Sequence, residues 1–395
     1  MQLSFNELQY IVGSPEVVEN MCFLKMLRPF DDCVIDFLND LSVILRTNRI
    51  YSDVATFGFW CRKAALLKEK EIYDDLFNRF GKGIVFHSTP SNVPVNFAFS
   101  FAAGLLAGNA NIVRLPGKPF EQVTIICDAI QKLLLNKYKD LARYIVFVKY
   151  PPVKEITDVF SSICSVRVIW GGDMTVAELR QSSIPARATE ITFADRHSIA
   201  VIDSDAYLNE KDKDVLIQKF YNDTYYSDQN ACTSPRIIFW KGENKKEAKI
   251  DFWKRVHKLV LDKYELAPVH SVGKLSAFYY VAAEKNVRLE KADDMLITRI
   301  NIDNVDKDLM NYKYNCGFFF EKDIDDLGEI LNVCDIRCQT LTYFGVSKED
   351  FNNFLESARP IGIDRIVPIG KSMDFTLVWD GYDLIRQMSR KITII

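Results

Sequence analysis

From residue 82 to residue 203 the chain alternates short, almost purely apolar runs with longer segments in which apolar residues recur every three or four positions. The short runs predict strands, and the period of the longer segments predicts amphipathic helices. Strands that alternate with helices in this way are typical of a parallel, doubly wound α/β sheet. The predicted strands are KGIVFHS (82–88), NIVRL (111–115), YIVFVKY (144–150), VRVIW (166–170), EITFA (190–194) and SIAVID (198–203).

The loops that follow these strands form the predicted ligand site. In doubly wound sheets, ligands bind outside the carboxyl ends of the strands. In this sequence three of those ends fall at 87–92, 115–118 and 171–173. We therefore expect these loops to face one ligand.

The patterns divide the chain into four parts. Residues 1–80 are predicted to be helices that pack on the doubly wound domain, which we place at 81–204. Residues 346–395 are predicted to complete the fold, beginning with a helix whose N-cap is Ser347. Between them, a second α/β unit at 205–345 has the predicted strands PRIIFW (235–240), CGFFFE (316–321) and QTLTYF (339–344).

Charge and composition narrow the class of protein. The chain has 50 Lys and Arg residues against 53 Asp and Glu residues, a net charge of −3. Proteins that bind nucleic-acid backbones usually carry a basic excess, so this balance argues against nucleic acid as a partner. The most apolar stretch, 93–113, predicts no membrane-spanning helix, because four polar residues interrupt it.

The nine cysteines are scattered and form no zinc-ligand pattern. None is part of a CxxC pair, and the four histidines do not cluster with them. We therefore predict reduced thiols and no metal site. Because the N-terminal segment has no signal-peptide pattern either, we expect a cytoplasmic protein.

Cys232 is the strongest candidate for a nucleophile. It lies in the segment DQNACTSP (228–235), between a predicted helix and the strand PRIIFW. Small and polar neighbours at such a junction leave room for a substrate carbonyl, and backbone N–H groups there can face a developing oxyanion. The other cysteines lie mostly in apolar or helical runs, where a buried, unreactive thiol is the usual outcome.

Two kinds of polar side chain lie near the predicted ligand edge. Asn92 lies in a loop flanked by Pro90 and Pro94. Its amide can donate to an oxyanion, and a simple turn-forming role explains it equally well. His87 and His197 lie at the ends of predicted strands, where a structural histidine is more common than an acid or base.

A further group of residues can bind phosphate. Arg114, Gly117 and Lys118 follow the second strand, and the run Gly171-Gly172-Asp173 follows the fourth. Glycines at a strand end let a phosphate approach the backbone, and a following helix supplies positive potential. The GGD run is equally compatible with a tight turn from strand to helix.

Taken in this order, the motifs resemble those of the acyl-CoA reductase family typified by the fatty-acid reductase of bacterial luminescence, a branch of the aldehyde dehydrogenase superfamily. The resemblance implies an aldehyde-dehydrogenase-like fold, in which 81–204 binds a dinucleotide and 205–345 is the catalytic domain. It covers roughly residues 80–385 and rests on SNVP (91–94), LLAGNANIVRLPGK (105–118), WGGD (170–173), QNACTSP (229–235), and IDRIVPIG with DFTLVWDGYDLI (363–385).

The resemblance also assigns catalytic roles. The cysteine nucleophile of the superfamily matches Cys232, and the oxyanion-binding amide of its Asn-x-Pro loop matches Asn92. Hydrolytic aldehyde dehydrogenases use a Glu as general base, and the matching position here is Phe193 or its neighbour, with Glu190 close in the sequence. An acyl-enzyme without that base is expected to be reduced or passed to a thiol rather than hydrolysed.

For the cofactor, Arg114 matches a lysine that contacts it, and Gly172 matches the glycine before the pyrophosphate-binding helix. The acidic residue that binds the adenosine ribose in the superfamily would fall near Gly117. Its absence removes a repulsion from a 2′-phosphate, and Lys118 adds a partner for one. The resemblance therefore implies NADPH rather than NADH.

The function expected from the resemblance is NADPH-dependent reduction of an acyl thioester, either acyl-CoA or an acyl-carrier protein, to an aldehyde. Two alternatives stay open. One is an aldehyde dehydrogenase or acyl-phosphate reductase on the same fold, and the other is an acyl-carrying subunit that uses no cofactor. We also expect a homo-oligomer and a partner enzyme that activates or transfers the acyl group.

Overall fold

The computed structural model describes residues 8–90 and 93–395. The chain folds into two compact units, which divide between Ala194 and Asp195 and again between Asp374 and Phe375. The first unit therefore contains the chain up to Ala194 together with Phe375–Ile395, and the second contains Asp195–Asp374. Each unit is built around its own sheet.

The strands, numbered along the chain, are β1 Gln9–Val12, β2 Arg79–Gly81, β3 Ile84–Ser88, β4 Ala110–Arg114, β5 Ile145–Lys149, β6 Val166–Trp170, β7 Thr189–Phe193, β8 His197–Asp203, β9 Pro235–Lys241, β10 Val287–Leu289, β11 Thr298–Ile302, β12 Phe318–Asp323, β13 Cys338–Phe344, β14 Arg365–Pro368, β15 Val378–Trp379, β16 Tyr382–Asp383 and β17 Ser389–Lys391.

The α-helices are α1 Pro15–Asn20, α2 Asp32–Leu45, α3 Ser52–Trp60, α4 Lys63–Lys70, α5 Asn96–Leu106, α6 Glu121–Asn136, α7 Lys139–Ala142, α8 Lys154–Ile163, α9 Asp173–Leu179, α10 Ser204–Asn209, α11 Lys213–Asp223, α12 Lys245–Lys263, α13 Pro268–Glu284, α14 Lys348–Ala358 and α15 Leu384–Met388. Short 3₁₀ helices lie at Met21–Phe23, Leu76–Asn78, Tyr225–Ser227, Leu309–Tyr312 and Leu327–Asn332. In the described part of the chain, no helix is both long and apolar enough to cross a membrane.

The first unit contains the predicted parallel, doubly wound sheet. Its strands lie in the order β1-β5-β4-β3-β6-β7, and β3 to β7 run parallel while β1 pairs antiparallel with β5. β3 and β6 are buried along their whole length, because helices cover both faces of such a sheet. After β3, the next two strands, β4 and β5, are added on one side of it, and β6 and β7 are then added on its other side. This reversal lies between β3 and β6, and ligands of open α/β sheets bind at the carboxyl edge beside such a point.

The second unit is also a mainly parallel α/β sheet, with strand order β10-β11-β12-β9-β8-β13-β14. Alternate residues of β9 belong to different cores: Ile237 and Phe239 pack on one face of the sheet, and Ile238 and Trp240 pack on the other. Cys232 precedes β9, so it lies at the amino edge of this sheet.

One strand joins a different sheet from the one expected. β8, predicted as the last strand of the first sheet, pairs instead with β9 and β13 in the second sheet. The apolar pattern of this strand indicated a buried strand correctly but carries no information on which neighbours it pairs with. The division between the units accordingly falls after Ala194 rather than at residue 204.

The C-terminal segment returns to the first unit. β17 pairs antiparallel with β2, and Leu384, Ile385 and Met388 are buried in the core that surrounds β3 to β6. As predicted, Ser347 is the N-cap of α14, and its hydroxyl accepts a hydrogen bond from the backbone N–H of Asp350 at 3.0 Å. That helix belongs to the second unit, so the chain leaves this unit at residue 374 rather than at 345.

Candidate active site

The loop that carries Cys232 joins α11 to β9. The thiol is partly exposed, whereas Cys22 and Cys33 are exposed and the remaining six cysteines are buried. Burial raises the pKa of Cys127 and of Cys164 to about 12, which keeps these thiols protonated and unreactive at neutral pH. Exposure alone does not single out Cys232, but exposure on a fixed loop at a sheet edge does.

Gln229 fixes this loop from inside the protein. Its side chain is fully buried and donates to the carbonyl oxygens of Pro235 at 3.0 Å and Phe318 at 3.2 Å. Its Oε1 accepts from the backbone N–H groups of Gly317 at 3.0 Å and Phe318 at 3.1 Å. One side chain therefore joins the Cys232 loop to the first residues of β9 and β12.

The backbone of the loop adopts a costly conformation. Asp228 has φ of 51° and Gln229 has φ of 57°, in the left-handed region that residues other than glycine rarely adopt. Nearby Cys316 has φ of 58° and Gly317 has φ of 83°. Such residues persist only where the surrounding contacts determine the backbone, and they often mark functional sites.

The peptide of Cys232 itself is tied to β8. The hydroxyl of Ser198 donates to the carbonyl oxygen of Cys232 at 2.7 Å and accepts from the N–H of Thr340 at 3.2 Å. The next residue, Thr233, donates from its hydroxyl to the sulfur of Met373 at 3.1 Å. These contacts hold the backbone immediately after the Cys232 side chain.

The predicted oxyanion donor cannot be placed in the same way. Ser91 and Asn92 lie outside the described residues, so the role of Asn92 stays a prediction. On the flanks of this loop, the hydroxyl of Thr89 donates to the carbonyl oxygen of Arg114 at 2.6 Å, and α5 begins at Asn96, close to Pro94 as predicted.

At the end of β4, the predicted phosphate-binding residues differ in their surroundings. The guanidinium of Arg114 lies over the ring of Tyr150, 4.5 Å from its centroid. Lys118 is exposed, and a methyl group on Gly117 would meet no heavy atom within 4 Å. The backbone at Gly117 is therefore open to a ligand, while Arg114 offers a flat, partly buried cation beside it.

The GGD run forms the turn from β6 into α9. The N–H of Gly171 donates to the carbonyl oxygen of Phe193 at 3.1 Å, Gly172 is the N-cap, and Asp173 is the first helical residue. A methyl group on Gly172 would also meet no heavy atom within 4 Å. The structure therefore brings both phosphate-directed groups to the same edge of the first sheet, after β4 and β6, on either side of β3.

Two acid–base candidates, His87 and His197, are buried. The ring of His87 is fully buried, with Nδ1 2.7 Å from the hydroxyl of Ser100 and Nε2 3.0 Å from Oδ1 of Asn111. Because that Oδ1 can only accept, Nε2 carries the proton. Burial lowers the pKa of His87 to about 4 and that of His197 to about 4, so both rings are neutral near pH 7.

The carboxylate near the superfamily's base position is engaged in ion pairs. Glu190 accepts from Nε of Arg167 at 2.9 Å and from Nε of Arg180 at 2.7 Å. Burial raises the pKa of Glu190, but the bonds from the two arginines lower it by more, so the pKa lies below its usual range. Phe193 stacks on Trp170, with ring centroids 3.7 Å apart. A paired carboxylate of lowered pKa is a weak proton acceptor.

Sequence reasoning missed Arg236. This residue is the second of β9, 5% exposed, and its guanidinium contacts the Cys232 loop. The available signal was a charged residue inside an otherwise apolar strand four positions after the candidate nucleophile, because a buried charge is retained only where it is bound.

Residues 60–296, more than half of the chain, match the family described as acyl-CoA reductase (LuxC). The chain belongs to the acyl-CoA reductase family. A family relative, the long-chain acyl-protein thioester reductase of Vibrio harveyi, is 28% identical over 186 residues. The match covers 46% of this chain and 36% of that protein, so it spans little more than a third of the relative's length.

Solved structures show the fold of this family member. An oxidoreductase from Marinobacter aquaeolei is similar with a TM-score of 0.65 at 10% identity, covering 95% of this chain and 89% of that one. A lactaldehyde dehydrogenase gives a TM-score of 0.66 at 9% identity, covering 96% and 89%. Aldehyde dehydrogenase 21 from Physcomitrella patens gives 0.58 at 12% identity, covering 95% and 82%. The fold is that of the aldehyde dehydrogenases, as the resemblance implied.

Proposed function

We propose that this protein reduces an acyl thioester to an aldehyde through an acyl group carried on Cys232. The observation that carries the proposal is the Cys232 loop, in which a partly exposed thiol sits on a backbone fixed by buried hydrogen bonds. Membership of the acyl-CoA reductase family supplies the reaction class.

The proposed first step is attack of the Cys232 thiolate on the thioester carbonyl. The new bond joins Sγ to the carbonyl carbon, and the donor thiol leaves as a thiolate, so one thioester replaces another at little thermodynamic cost. The Asn92 amide and the backbone N–H of Cys232 are the proposed donors to the oxyanion. Loss of one such donor typically slows the reaction by about 10²–10³-fold.

A nicotinamide cofactor, when bound, supplies the hydride that reduces the acyl carbonyl. The residues proposed to hold it are Gly117 and Lys118 after β4 and Gly172 before α9, with Arg114 beside them. They fit such a group, because both glycines leave open space beside the backbone and Lys118 is exposed. The exposed Lys118 ammonium group favours a 2′-phosphate, which supports NADPH.

The state of Glu190 supports reduction over hydrolysis. Its carboxylate is bound by Arg167 and Arg180 and has a lowered pKa, so it is poorly suited to activate water. Phe193, which the resemblance places at or next to the position of the superfamily's base, has no proton to exchange. An acyl group on Cys232 would therefore persist until it is reduced or transferred.

The acyl group itself is expected to be apolar. Trp60, Phe99 and Phe375 form a partly exposed aromatic cluster, with ring centroids 5.6 Å apart for Trp60 and Phe99 and 4.9 Å apart for Phe99 and Phe375. Phe99 lies on α5, the helix that follows the Asn92 loop. Both a carrier protein and CoA are possible donors, since the relative is named for an acyl-protein substrate and the family for acyl-CoA.

The decisive experiment is to measure intact-mass acyl adducts and NADPH oxidation with a series of acyl-CoA thioesters. Cys232→Ala should abolish the adduct and slow aldehyde formation by at least ~10³-fold. Cys22→Ala, which removes an exposed thiol, is the matched control and should behave like the parent. Aldehyde formation by Cys232→Ala at the parental rate would refute the proposal, and adducts without NADPH binding would favour the acyl-carrying alternative.

A further inference from the structure

Arg236 is bound to the backbone of the nucleophile loop. Its Nη2 donates to the carbonyl oxygen of Gln229 at 2.7 Å. Its Nη1 donates to the carbonyl oxygen of Tyr314 at 2.8 Å and to Oδ1 of Asn315 at 2.6 Å. Asn315 in turn donates from its amide to the side-chain oxygen of Asn230. The guanidinium thus joins Gln229 directly, and Asn230 through Asn315, to the segment before β12.

The charge of Arg236 has no carboxylate bound to it. Within residues 8–90 and 93–395, its hydrogen bonds go to carbonyl and amide oxygens, and its buried Nε has no partner. Two other arginines are neutralised directly: the buried Arg167 pairs with Glu190, and the half-buried Arg299 pairs with the buried Glu321 at 2.8 Å. The charge of a buried cation that is bound only by neutral groups is not neutralised, so it can stabilise a negative charge nearby.

The charged and titratable groups that face Arg236 are few. Burial lowers the pKa of Arg236, and the interaction with Cys232 is the largest of those that oppose it, followed by Asp195 and Cys316. Asp195 is itself paired with Lys313 at 3.1 Å. The guanidinium binds the carbonyl oxygen of Gln229, three residues before Cys232 in the same loop, so a thiolate at Cys232 would be a negative charge near the guanidinium.

We propose that Arg236 is the positioning residue of the Cys232 nucleophile, holding its loop through the Gln229 carbonyl and favouring the thiolate over the thiol. The inference rests on the proposed role of Cys232. A neighbouring cation stabilises a thiolate, and a low-dielectric setting strengthens that effect. At pH values below the titration midpoint, a midpoint lower by one pH unit means about ten times more thiolate.

The test is the pH dependence of Cys232 alkylation by iodoacetamide, a neutral reagent whose reaction rate follows the thiolate fraction. Peptide mass mapping separates Cys232 from the exposed Cys22 and Cys33, which serve as internal references. The pKa of Cys33 is raised by burial and by the neighbouring carboxylates, Asp31 first among them. The reference midpoint of Cys33 should therefore lie above that of Cys232.

Arg236→Met removes the cation and should raise the Cys232 midpoint by about one pH unit or more, without moving Cys22 or Cys33. Arg236→Lys keeps the charge but cannot bind the three oxygens in the same fork. In Arg236→Lys the Cys232 midpoint should therefore lie close to that of the parent, while the turnover rate for aldehyde formation falls. A purely structural role would instead predict that lysine and methionine shift the midpoint alike.

Asn315→Asp provides a second variant of nearly the same shape. It keeps the oxygen that accepts from Arg236 and adds a negative charge beside the guanidinium. The Cys232 midpoint should rise here too, even if Arg236→Met fails to fold. An unchanged midpoint in Asn315→Asp and in any folded Arg236→Met would overturn the inference. Alkylation requires no acyl substrate. If the variants shift the Cys232 midpoint as expected but the parent protein forms no aldehyde, the proposed function is rejected and the inference about Arg236 stands.

Discussion

At the carboxyl edge of the first sheet, Gly117 and Gly172 leave open space beside the backbone, whereas at the amino edge of the second sheet Gly317 has none. A methyl group on Gly317 would lie 2.2 Å from the hydroxyl of Tyr225 and 2.6 Å from the carbonyl oxygen of Leu296. The first edge also exposes Lys118, while the second buries Gln229 completely. One edge is open and the other is closely packed.

The difference follows from what each edge is proposed to do. A dinucleotide site needs backbone N–H groups that a phosphate can reach, so its glycines must have empty space beside them. A nucleophile must be held within about 0.5 Å of its productive position, so the loop that carries it must be fixed by buried contacts. Substitutions at the two edges should therefore affect different quantities: stability at the second sheet and ligand binding at the first.

The largest effect on stability is expected from Gln229→Ala. The change leaves four buried backbone groups at Pro235, Gly317 and Phe318 without their partner, and should lower the free energy of unfolding by about 4 kcal/mol. Urea unfolding measures this loss. Gln218→Ala, which removes surface hydrogen bonds to Asn222 and Lys263 on the half-buried side of α11, is the control and should change it by less than about 0.5 kcal/mol. Similar losses in the two variants would show that the Gln229 contacts do not fix the loop.

Gly317→Ala should be nearly as damaging, by about 3 kcal/mol. The φ of 83° strains any residue with a Cβ, and the methyl group meets a backbone carbonyl that cannot move freely. Gly117→Ala is the matched control at the open edge. It should leave the free energy of unfolding within about 0.5 kcal/mol of the parent while weakening cofactor binding. If Gly117→Ala destabilised the protein as much as Gly317→Ala, the contrast between the edges would be lost.

The sequence was enough to predict β3 to β7 of the first sheet, because these strands are short apolar runs separated by periodic helices and each run pairs with a neighbour in the same domain. It missed β1, which pairs with β5 but lies in the segment predicted to be helices. It was not enough for β8, whose equally apolar run pairs in the second sheet. It pointed to Cys232 through its small, polar neighbours. It did not indicate the left-handed backbone of Asp228 or the contacts of Arg236, since both depend on the segment 314–316 before β12, about 80 to 90 residues further along the chain.

Asp223 offers a smaller, pH-dependent test of the second edge. Its buried carboxylate accepts from the N–H groups of Gly370 at 2.6 Å and Ser372 at 3.2 Å, in the segment whose Met373 contacts Thr233. Burial raises the pKa of Asp223 to about 6 from an ordinary 3.8. The folded state therefore holds this proton more tightly than the unfolded state, and stability falls as the pH rises from about 4 to about 6.

The contribution of Asp223 over this range is on the order of 3 kcal/mol. Asp223→Asn should remove that part of the pH dependence, so the curves of unfolding free energy against pH should differ most in slope between about pH 4 and pH 6 and run parallel above it. Asp262→Asn, at an exposed carboxylate of α12, should keep the parental slope. Parallel curves for Asp223→Asn and the parent throughout would show that the carboxyl does not titrate there.

The smallest expected effect belongs to the open edge. Lys118 is exposed and has no packing role, so Lys118→Ala should leave unfolding unchanged and weaken NADPH binding by about tenfold, with little effect on NADH. The reason is that only NADPH carries the 2′-phosphate with which the ammonium group would pair, and the effect should shrink as salt is added. Calorimetric titration with both cofactors measures it, and Lys132→Ala, at an exposed position of α6, is the matched control. Equal weakening of NADPH and NADH would mean that Lys118 contacts a part common to both cofactors, and the preference for NADPH would then have to come from Arg114.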